Sequence, residues 1–191
     1  MPATPDDLTA ELARLGIAHD VVEHPPLHTV EDSRRLRGEL AGGHAKNLFV
    51  KDKKGRIFML VLPEDAVVDL KRVHEKIGAS GRVSFGTADQ LREIWGVEPG
   101  AVTPFGAIND PEGRVTVVLD AGLMRHERLN FHPLVNTRTL GLSREGLLAF
   151  LRATGHEPSI LALGDPGGAL SDPGGALGDP GGTGAAATTG A

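Results

Sequence analysis

The chain contains no cysteine, which excludes a disulfide, a thiolate nucleophile and a metal site built on cysteine. It has no apolar run long enough to span a bilayer, and residues 1–10 lack the basic and apolar regions of a signal peptide. The GxGxxG and Walker patterns are also absent, so nothing supports a dinucleotide-binding or P-loop fold. We therefore expect a cytoplasmic protein with no membrane partner.

A surplus of basic residues is lacking as well. The net charge is −5, and because Asp165, Asp172 and Asp179 lie near the C-terminus, the rest of the chain carries only −2. Bulk binding of nucleic acid requires many cations to neutralise phosphates, so a general nucleic-acid coat protein is not expected. A local basic rim can still grip nucleic acid, and its candidates are Lys46, Lys51, Lys53, Lys54 and Arg56.

Residues 162–191 differ in composition from the rest of the chain. ALGDPGG, ALSDPGG and ALGDPGG follow one another at a period of seven residues. Their prolines and glycines forbid a stable helix, and D-P-G-G is typical of turns. We expect one domain over residues 1–161 and a flexible Gly/Pro/Ala-rich tail over 162–191. An ordered tail that docks on a partner stays open.

Residues 1–161 carry helix and strand signals in an α+β order. Helices are predicted at 5–15, 63–78, 87–95 and 144–154, with a small one capped by Thr29. Strands are predicted at 18–24, 47–50, 56–62, 81–86, 114–120, 128–133 and 136–142, with a turn at 52–55. We expect a mixed, mostly antiparallel, barrel-like sheet surrounded by helices.

Lys46 and Asn47 stand where the first strand of a predicted hairpin enters the core. A lysine at a strand end is usually solvated or protects the sheet edge. The preceding AGGHA lets the backbone bend, however, and the two polar side chains together could grip a phosphate or a carboxyl-derived oxygen. Local sequence leaves both interpretations open.

A second candidate is the loop GAVTPFG, residues 100–106. Its glycines allow backbone N–H groups to approach a ligand, and Pro104 fixes the shape of the loop. Such N–H groups could stabilise a carbonyl oxygen that becomes negative in a transition state. A plain connection between two elements explains the loop equally well.

The eight histidines form no metal-binding pattern. His24 and His28 are four residues apart, but two intervening prolines make a helical zinc pair implausible. Surface or helix-end positions are expected for His19, His74 and His156. His132 ends a predicted strand before a proline, and such a position is structural as often as functional. No catalytic triad, carboxylate pair, metal cluster or cofactor motif emerges, so an enzyme of this sequence would work by positioning and polarisation.

Three segments, residues 44–65, 96–110 and 131–143, resemble the prolyl-tRNA editing family in order and spacing. That family comprises free-standing deacylases of the YbaK/ProX group and the editing insertion domain of bacterial prolyl-tRNA synthetase. The resemblance covers roughly residues 5–160. It implies a mixed, barrel-like sheet wrapped by helices and an activity that hydrolyses amino acids wrongly attached to tRNA.

The resemblance also implies roles for individual residues. Lys46 corresponds to the essential lysine of the family, which engages the tRNA 3′ end, and Asn47 is the polar residue beside it. Gly100 and the segment Ala101, Val102, Thr103 and Pro104 match the GxxxP loop that holds the aminoacyl ester. His132 matches the histidine that lines the amino-acid pocket.

The implied substrate is mischarged tRNA(Pro). The motifs KNLFVKDKKG and FHPLVNT most resemble those of the subgroup that acts on alanyl-tRNA(Pro). The cysteinyl ester is the alternative substrate. Prolyl-tRNA synthetase or an elongation factor are candidate partners for delivery of the tRNA. Two other classes stay open: a non-catalytic nucleic-acid-binding or regulatory module on the same fold, and an interaction protein that acts through its tail.

Overall fold

The computed structural model describes residues 1–26 and 40–164. The helices are α1 Pro5–Arg14, α2 Val73–Ile77, α3 Ala88–Gln90, which continues as the π-helical turn Leu91–Trp95, and α4 Arg144–Ala153, with 3-10 turns at Pro104–Asn109 and Leu123–Arg125. The strands are β1 His19–Glu23, β2 Gly43–Lys51, β3 Ile57–Pro63, β4 Ser84–Phe85, β5 Val115–Asp120, β6 Arg128–Phe131, β7 Arg138–Ser143 and β8 Ser159–Leu161.

The eight strands form one mixed sheet in the order β1-β7-β6-β2-β3-β5-β8, with β4 paired to β2. Antiparallel pairs are β1–β7, β6–β7, β2–β3 and β2–β4, whereas β2–β6, β3–β5 and β5–β8 are parallel. The expected α+β class and mixed sheet are confirmed. No helix in the described ranges is long and apolar enough to cross a membrane.

Strand β2 joins strands β1, β7 and β6 on one side of the sheet to strands β3, β5 and β8 on the other. Gly43 and His44 at its start pair with β6, and Val50 and Lys51 at its end pair with β4. Along the other edge, β2 pairs with β3 from Ala45 to Lys51. Because β2 has different partners at its two ends, its residues lie at the centre of the sheet.

Both faces of this central region are buried. In β3, Ile57, Met59 and Val61 pack into a first core cluster, with Trp95 and Phe105. The intervening residues of β3 pack into a second cluster, whose buried members are Val50, Phe58, Leu60, Leu62, Ala66, Val68, Val73, Val118 and Leu163. Alternate side chains of a strand face opposite sides of the sheet, so β3 supplies both clusters.

Local signals for turns and caps are confirmed in several places. Thr4 forms a capping box with Asp7 at the start of α1, and Thr87 forms one with Gln90. Ser143 accepts a hydrogen bond from the N–H of Gly146 and caps α4. Gly55 closes the hairpin turn with φ +81°, a conformation that favours glycine.

The predicted helix over 63–78 is wrong in its first half, because only Val73–Ile77 is helical. Ala66 and Val68 are both buried in the second cluster, and this alternation is the burial pattern of extended chain rather than of a helix. Asp69 then accepts a hydrogen bond from the N–H of Lys71, which forms a turn before the helix. The apolar spacing fitted both periods, and packing against β3 decided between them.

Two predicted boundaries also move. Strand β2 begins at Gly43, four residues before its predicted start, so Lys46 lies inside the strand. Past the predicted domain boundary at 161, Leu163 is 2% exposed and its N–H donates to Asp120. Packed structure therefore continues to Gly164, whereas the small helix predicted after Thr29 and the tail from 165 lie outside the described residues.

Candidate active site

Lys46 lies in the middle of β2, opposite Leu62 of β3. Its ammonium donates a hydrogen bond to the carbonyl of Ala66, in the extended segment after β3. Burial lowers the pKa of Lys46, and the nearby carboxylates of Asp65 and Glu64 oppose that shift. The lysine is therefore a positioned, partly desolvated cation rather than a solvated strand end.

Asn47 follows Lys46 directly and faces the opposite side of the strand. Its Nδ2 donates to the carbonyl of Val102 at 2.9 Å. Its Oδ1 is buried and has no hydrogen-bond partner among the described residues. A buried amide oxygen left without a donor costs free energy, so the position of Asn47 is not explained by the hydrogen bonds of its own side chain alone.

The loop that contains Val102 offers two unused donors. Gly100 has φ +93°, which a residue with a Cβ rarely adopts, and open space surrounds the position of that Cβ. The N–H of Ala101 donates to the carbonyl of Glu98 at 3.0 Å. Within the described ranges, no acceptor meets the N–H of Gly100 or of Val102. These two groups can donate to a carbonyl oxygen of a ligand.

The remaining loop residues hold the loop in place. Thr103 is fully buried, and its carbonyl accepts a hydrogen bond of 2.7 Å from the indole of Trp95. Pro104 begins the 3-10 turn Pro104–Asn109, and Ala101 is 5% exposed within the core. Supporting positions behind the N–H groups of Gly100 and Val102 are therefore occupied by three residues that were predicted to contact substrate: Ala101, Thr103 and Pro104.

A cleft of about 530 Å³ opens beside this loop. It is bounded by β2, by the segment from β4 into α3, and by the loop that follows Trp95. The residues that line it are Asn47, Leu48, Phe49, Phe85, Gly86, Thr87, Ala88, Leu91, Pro99, Gly100 and Val102. Neither Lys46 nor His132 is among them.

His132 follows β6 and does not line this cleft. Its Nδ1 is 3.2 Å from the carbonyl of Arg138, and its ring centroid lies 6.3 Å from that of His24. Burial lowers the pKa of His132, the Arg138 carbonyl opposes the shift, and His24 adds to it. The ring is therefore neutral at neutral pH.

Known proteins resemble this chain along most of its length. The family described as "Aminoacyl-tRNA editing domain" matches residues 24–150. The chain belongs to this family. The resemblance inferred from three sequence segments is thereby confirmed, and Lys46, the GxxxP loop and His132 all lie within the matched part of this editing domain.

Two relatives cover most of the editing domain. Prolyl-tRNA synthetase associated domain-containing protein 1 of Mus musculus is 38% identical over 159 residues, covering 81% of this chain and 94% of the relative. Prolyl-tRNA editing protein ProX of Acetoanaerobium sticklandii is 36% identical over 148 residues, covering 77% and 90%. A solved structure of a candidate trans-editing enzyme for prolyl-tRNA synthetase has a TM-score of 0.63 at 22% identity, covering 83% and 97%, and shows the shared fold.

The editing domain brings together only part of the predicted site. Asn47, Gly100 and Val102 share one cleft, whereas Lys46 lies on the other face of β2 and His132 contacts Arg138. A joint grip by Lys46 and Asn47 on one group is not what this geometry provides. No cluster of three or more His, Asp or Glu side chains within 1–26 and 40–164 could hold a metal ion.

The predicted basic rim is only partly free. Lys53 and Lys54 are exposed at the hairpin turn. The guanidinium of Arg56 instead contacts Asp52 at 2.9 Å and the carbonyl of Gly78 at 2.9 Å. The ammonium of Lys46 is likewise directed to Ala66. Two of the five candidate cations of the rim, Lys46 and Arg56, are therefore held by contacts within the protein.

Sequence reasoning missed two features of this editing domain. Phe85, placed in a short strand, is 48% exposed on the cleft, and its signal was an aromatic residue between polar and glycine neighbours. His156 follows α4 as predicted but is 4% exposed, and its Nε2 lies 3.2 Å from the buried carboxylate of Asp110. Nothing local to His156 indicates this partner, which is 46 residues away.

Proposed function

We propose that this chain is a trans-editing deacylase that hydrolyses mischarged tRNA(Pro), with alanyl-tRNA(Pro) as its substrate. Membership of the editing family and the relative named prolyl-tRNA editing protein support the reaction class. The observation that carries the proposal is the pair of unused N–H donors at Gly100 and Val102, beside a cleft. The alanyl assignment rests on the residues of the two motifs around Lys46 and His132, KNLFVKDKKG and FHPLVNT.

The chemistry needs no protein nucleophile. An aminoacyl ester is already activated, and the N–H groups of Gly100 and Val102 would stabilise the negative charge that develops on its carbonyl oxygen. Water adds to the carbonyl carbon, and the bond between this carbon and the ribose oxygen breaks. The ribose oxygen takes a proton, and the amino acid leaves. The other hydroxyl of the terminal ribose would assist, as the family resemblance implies.

Lys46 and His132 have supporting roles in this proposal. The ammonium of Lys46 would exchange its hydrogen bond to the carbonyl of Ala66 for a contact with the tRNA 3′ end. His132, with its neutral ring, would line the pocket for the amino-acid side chain. A small pocket admits alanine and excludes proline by size.

A deacylation panel with alanyl-, cysteinyl- and prolyl-tRNA(Pro) tests this proposal. We expect release of alanine and no release of proline. Faster release of cysteine would overturn the alanyl assignment, and no release from any of the three would overturn the deacylase assignment.

The role of Lys46 is tested in the same assay. Lys46→Ala should lower kcat/KM for alanyl-tRNA(Pro) by about 100-fold or more, because a charge positioned at the substrate is lost. Lys71→Ala, at an exposed lysine outside the basic rim, is the matched control and should retain full activity. Circular dichroism verifies that both variants fold. Unchanged hydrolysis by folded Lys46→Ala would remove this residue from the site.

A further inference from the structure

His156 is a buried titratable residue that the proposed reaction does not use. It follows α4, is 4% exposed, and its backbone N–H donates to the carbonyl of Leu151 at 2.8 Å. A buried ring nitrogen without a partner costs free energy, so both nitrogens of this imidazole need partners. Those partners connect the end of α4 to the segment that follows the GxxxP loop.

The first partner, Asp110, is an ionised carboxylate in the interior of the protein. Burial raises the pKa of Asp110, but hydrogen bonds from the N–H groups of Val115 and Arg114 and from the side chains of His156 and Arg114 hold it below its ordinary value. A hydrogen bond to a charged acceptor is stronger than one between neutral groups. The contact with Asp110 is therefore a strong restraint on the imidazole.

The imidazole of His156 is held at both ring nitrogens. Its Nε2 lies 3.2 Å from Oδ2 of Asp110, and its Nδ1 lies 3.1 Å from the hydroxyl of Thr154. An ionised carboxylate can only accept, so Nε2 carries a hydrogen in this contact. Because both nitrogens are engaged, the ring cannot turn without breaking a hydrogen bond.

This fixed ring lies against the indole of Trp95. The two ring centroids are 5.7 Å apart and the planes meet at 88°, which is a T-shaped aromatic contact. Trp95 is fully buried, and its indole N–H donates to the carbonyl of Thr103 at 2.7 Å. The direction of that N–H depends on the orientation of the indole. Thr103 directly follows Val102, whose N–H is one of the two unused donors of the loop.

His156 also contacts the other end of the 3-10 turn Pro104–Asn109. Asp110 caps that turn, and its carboxylate accepts from the N–H of Val115 at 2.9 Å, where β5 begins. One imidazole therefore touches both the indole that holds the start of the turn and the carboxylate at its end. Movement of the ring would loosen the two ends together.

We propose that His156 is a positioning residue for the deacylation reaction and that it acts on the GxxxP loop through Trp95. Its ring orients the indole, and the indole bond to Thr103 keeps the neighbouring N–H groups of the loop in place. The inference rests on the proposed deacylase function and adds a residue that does not line the cleft. Donors for a developing negative charge are effective only when they are in place before the reaction.

Two substitutions of His156 separate positioning from folding. His156→Gln can still donate to Asp110 but has no ring to place against Trp95, whereas His156→Ala loses both contacts. Both should lower kcat for alanyl-tRNA(Pro) by about five- to twentyfold with KM within about twofold, because misplaced donors weaken the transition state alone. Unchanged kcat in folded His156→Gln would overturn the proposal.

Val73→Ala is the matched control for a loss of stability. Val73 lies on α2 in the second core cluster, whereas Trp95 belongs to the first. The variant should lower the urea midpoint of unfolding and keep kcat within about twofold. If it lowers kcat as much as His156→Gln does, the effect is one of stability and the proposal is overturned.

A double-mutant cycle tests whether His156 acts through the indole. Trp95→Phe keeps an aromatic ring but cannot donate to Thr103, so it removes the link between His156 and the loop. In this background His156→Gln should change kcat by less than about twofold, because the effects of residues that act through one another are not additive. Equal fold losses in the two backgrounds would overturn the proposal.

Hydrogen exchange tests the positioning without any reaction. The N–H of Ala101 donates to the carbonyl of Glu98 within the loop, so its exchange rate measures local opening. The rate should rise by about threefold or more in His156→Gln and stay unchanged in Val73→Ala. If the rise occurs but the unmodified protein hydrolyses no ester, the deacylase function is overturned and the positioning of the loop is retained. Hydrolysis of alanyl-tRNA(Pro) without the rise would retain the enzyme and overturn the role of His156.

Discussion

Lys46 and Asn47 are neighbours in sequence, yet the strand that carries them directs them to different environments. Strand geometry alternates side chains between faces, so Lys46 shares a face with Leu62 and Asn47 shares one with Val61. A charge and an amide thus serve the same proposed reaction from two sides of one strand. A shift of one residue in the β2–β3 register would exchange them.

Asp52 is the residue whose charge matters most for the hairpin that mounts these side chains. Burial raises its pKa, but hydrogen bonds from the N–H groups of Ser80, Arg56 and Lys54 and from the Arg56 guanidinium lower it to about 2. The ordinary value is 3.8, so the folded protein holds this carboxylate more acidic than the unfolded chain does. Its contribution to stability is present above about pH 4 and is lost as pH falls towards 2.

Asp52→Asn should therefore be less stable than the unmodified protein at neutral pH, because the charged acceptor of four hydrogen bonds is lost. The difference in free energy of unfolding between the two proteins should shrink as pH falls from about 4 to about 2. Urea unfolding followed by circular dichroism across this range measures it. A difference that stays constant or grows in acid would contradict the pKa direction.

At the residue scale, the sequence indicates which residues are candidates for the site, but it does not indicate which contacts their side chains make. Gly100 and Lys46 could be selected because a glycine-rich loop and a lysine at a core strand are unusual locally. The Nδ2 of Asn47 donates to Val102, which is 55 residues away in sequence, and His156 contacts Asp110, which is 46 residues away. No local pattern specifies such partners.

At the scale of elements, the loop after α3 owes its shape to one close packing contact. A Cβ on Gly106 would lie 2.1 Å from Cδ1 of Trp95, well inside any real contact. Trp95 in turn donates to the carbonyl of Thr103, next to the donors of the loop. Gly106 therefore allows the 3-10 turn to approach the indole that holds the loop.

Gly106→Ala should destabilise the protein by about 1–3 kcal/mol, because Trp95 must move in a packed core. It should also lower deacylation, since the loop loses its anchor. Gly100→Ala is the comparison: its Cβ meets no atom within 4 Å, but the φ of +93° is strained for alanine. Urea unfolding and deacylation rates measure both, and equal stability of Gly106→Ala and the unmodified protein would contradict the packing argument.

Elements were predictable where their signals are local. Capping residues, the hairpin turn and the strands β1 to β7 follow from such signals. The segment 63–72 was misjudged because its apolar residues suit a helix face and an extended chain equally. Strand β8 has three residues, and its parallel pairing with β5 is a long-range choice that composition does not encode.

At the scale of the whole molecule, the end of the packed domain is fixed by a charged residue of β5. The carboxylate of Asp120 accepts from the N–H groups of Leu163 and Gly164, and the ammonium of Lys76 donates to the carbonyl of Leu163. The side chain of Leu163 packs into the second core cluster, and these hydrogen bonds hold the backbone on both sides of it. The first repeat of the Gly/Pro/Ala-rich segment thus begins inside the fold.

A chain cut after residue 161 should therefore be less stable than a chain cut after residue 164. The loss should be about 2–5 kcal/mol, the usual effect of removing a buried leucine. Leu163→Ala in the full chain should give a similar loss and separates the side chain from the cut. Urea unfolding compares the four proteins, and full stability of the 1–161 chain would show that Leu163 contributes nothing.

The single tryptophan has a consequence for how this protein can be observed. The chain has one tryptophan and no tyrosine, so its fluorescence arises almost entirely from Trp95. That indole donates to Thr103 of the GxxxP loop and is in edge contact with the ring of His156. An unlabelled sample therefore carries an optical reporter at the loop itself, and we expect a shift of the loop to change the emission of Trp95.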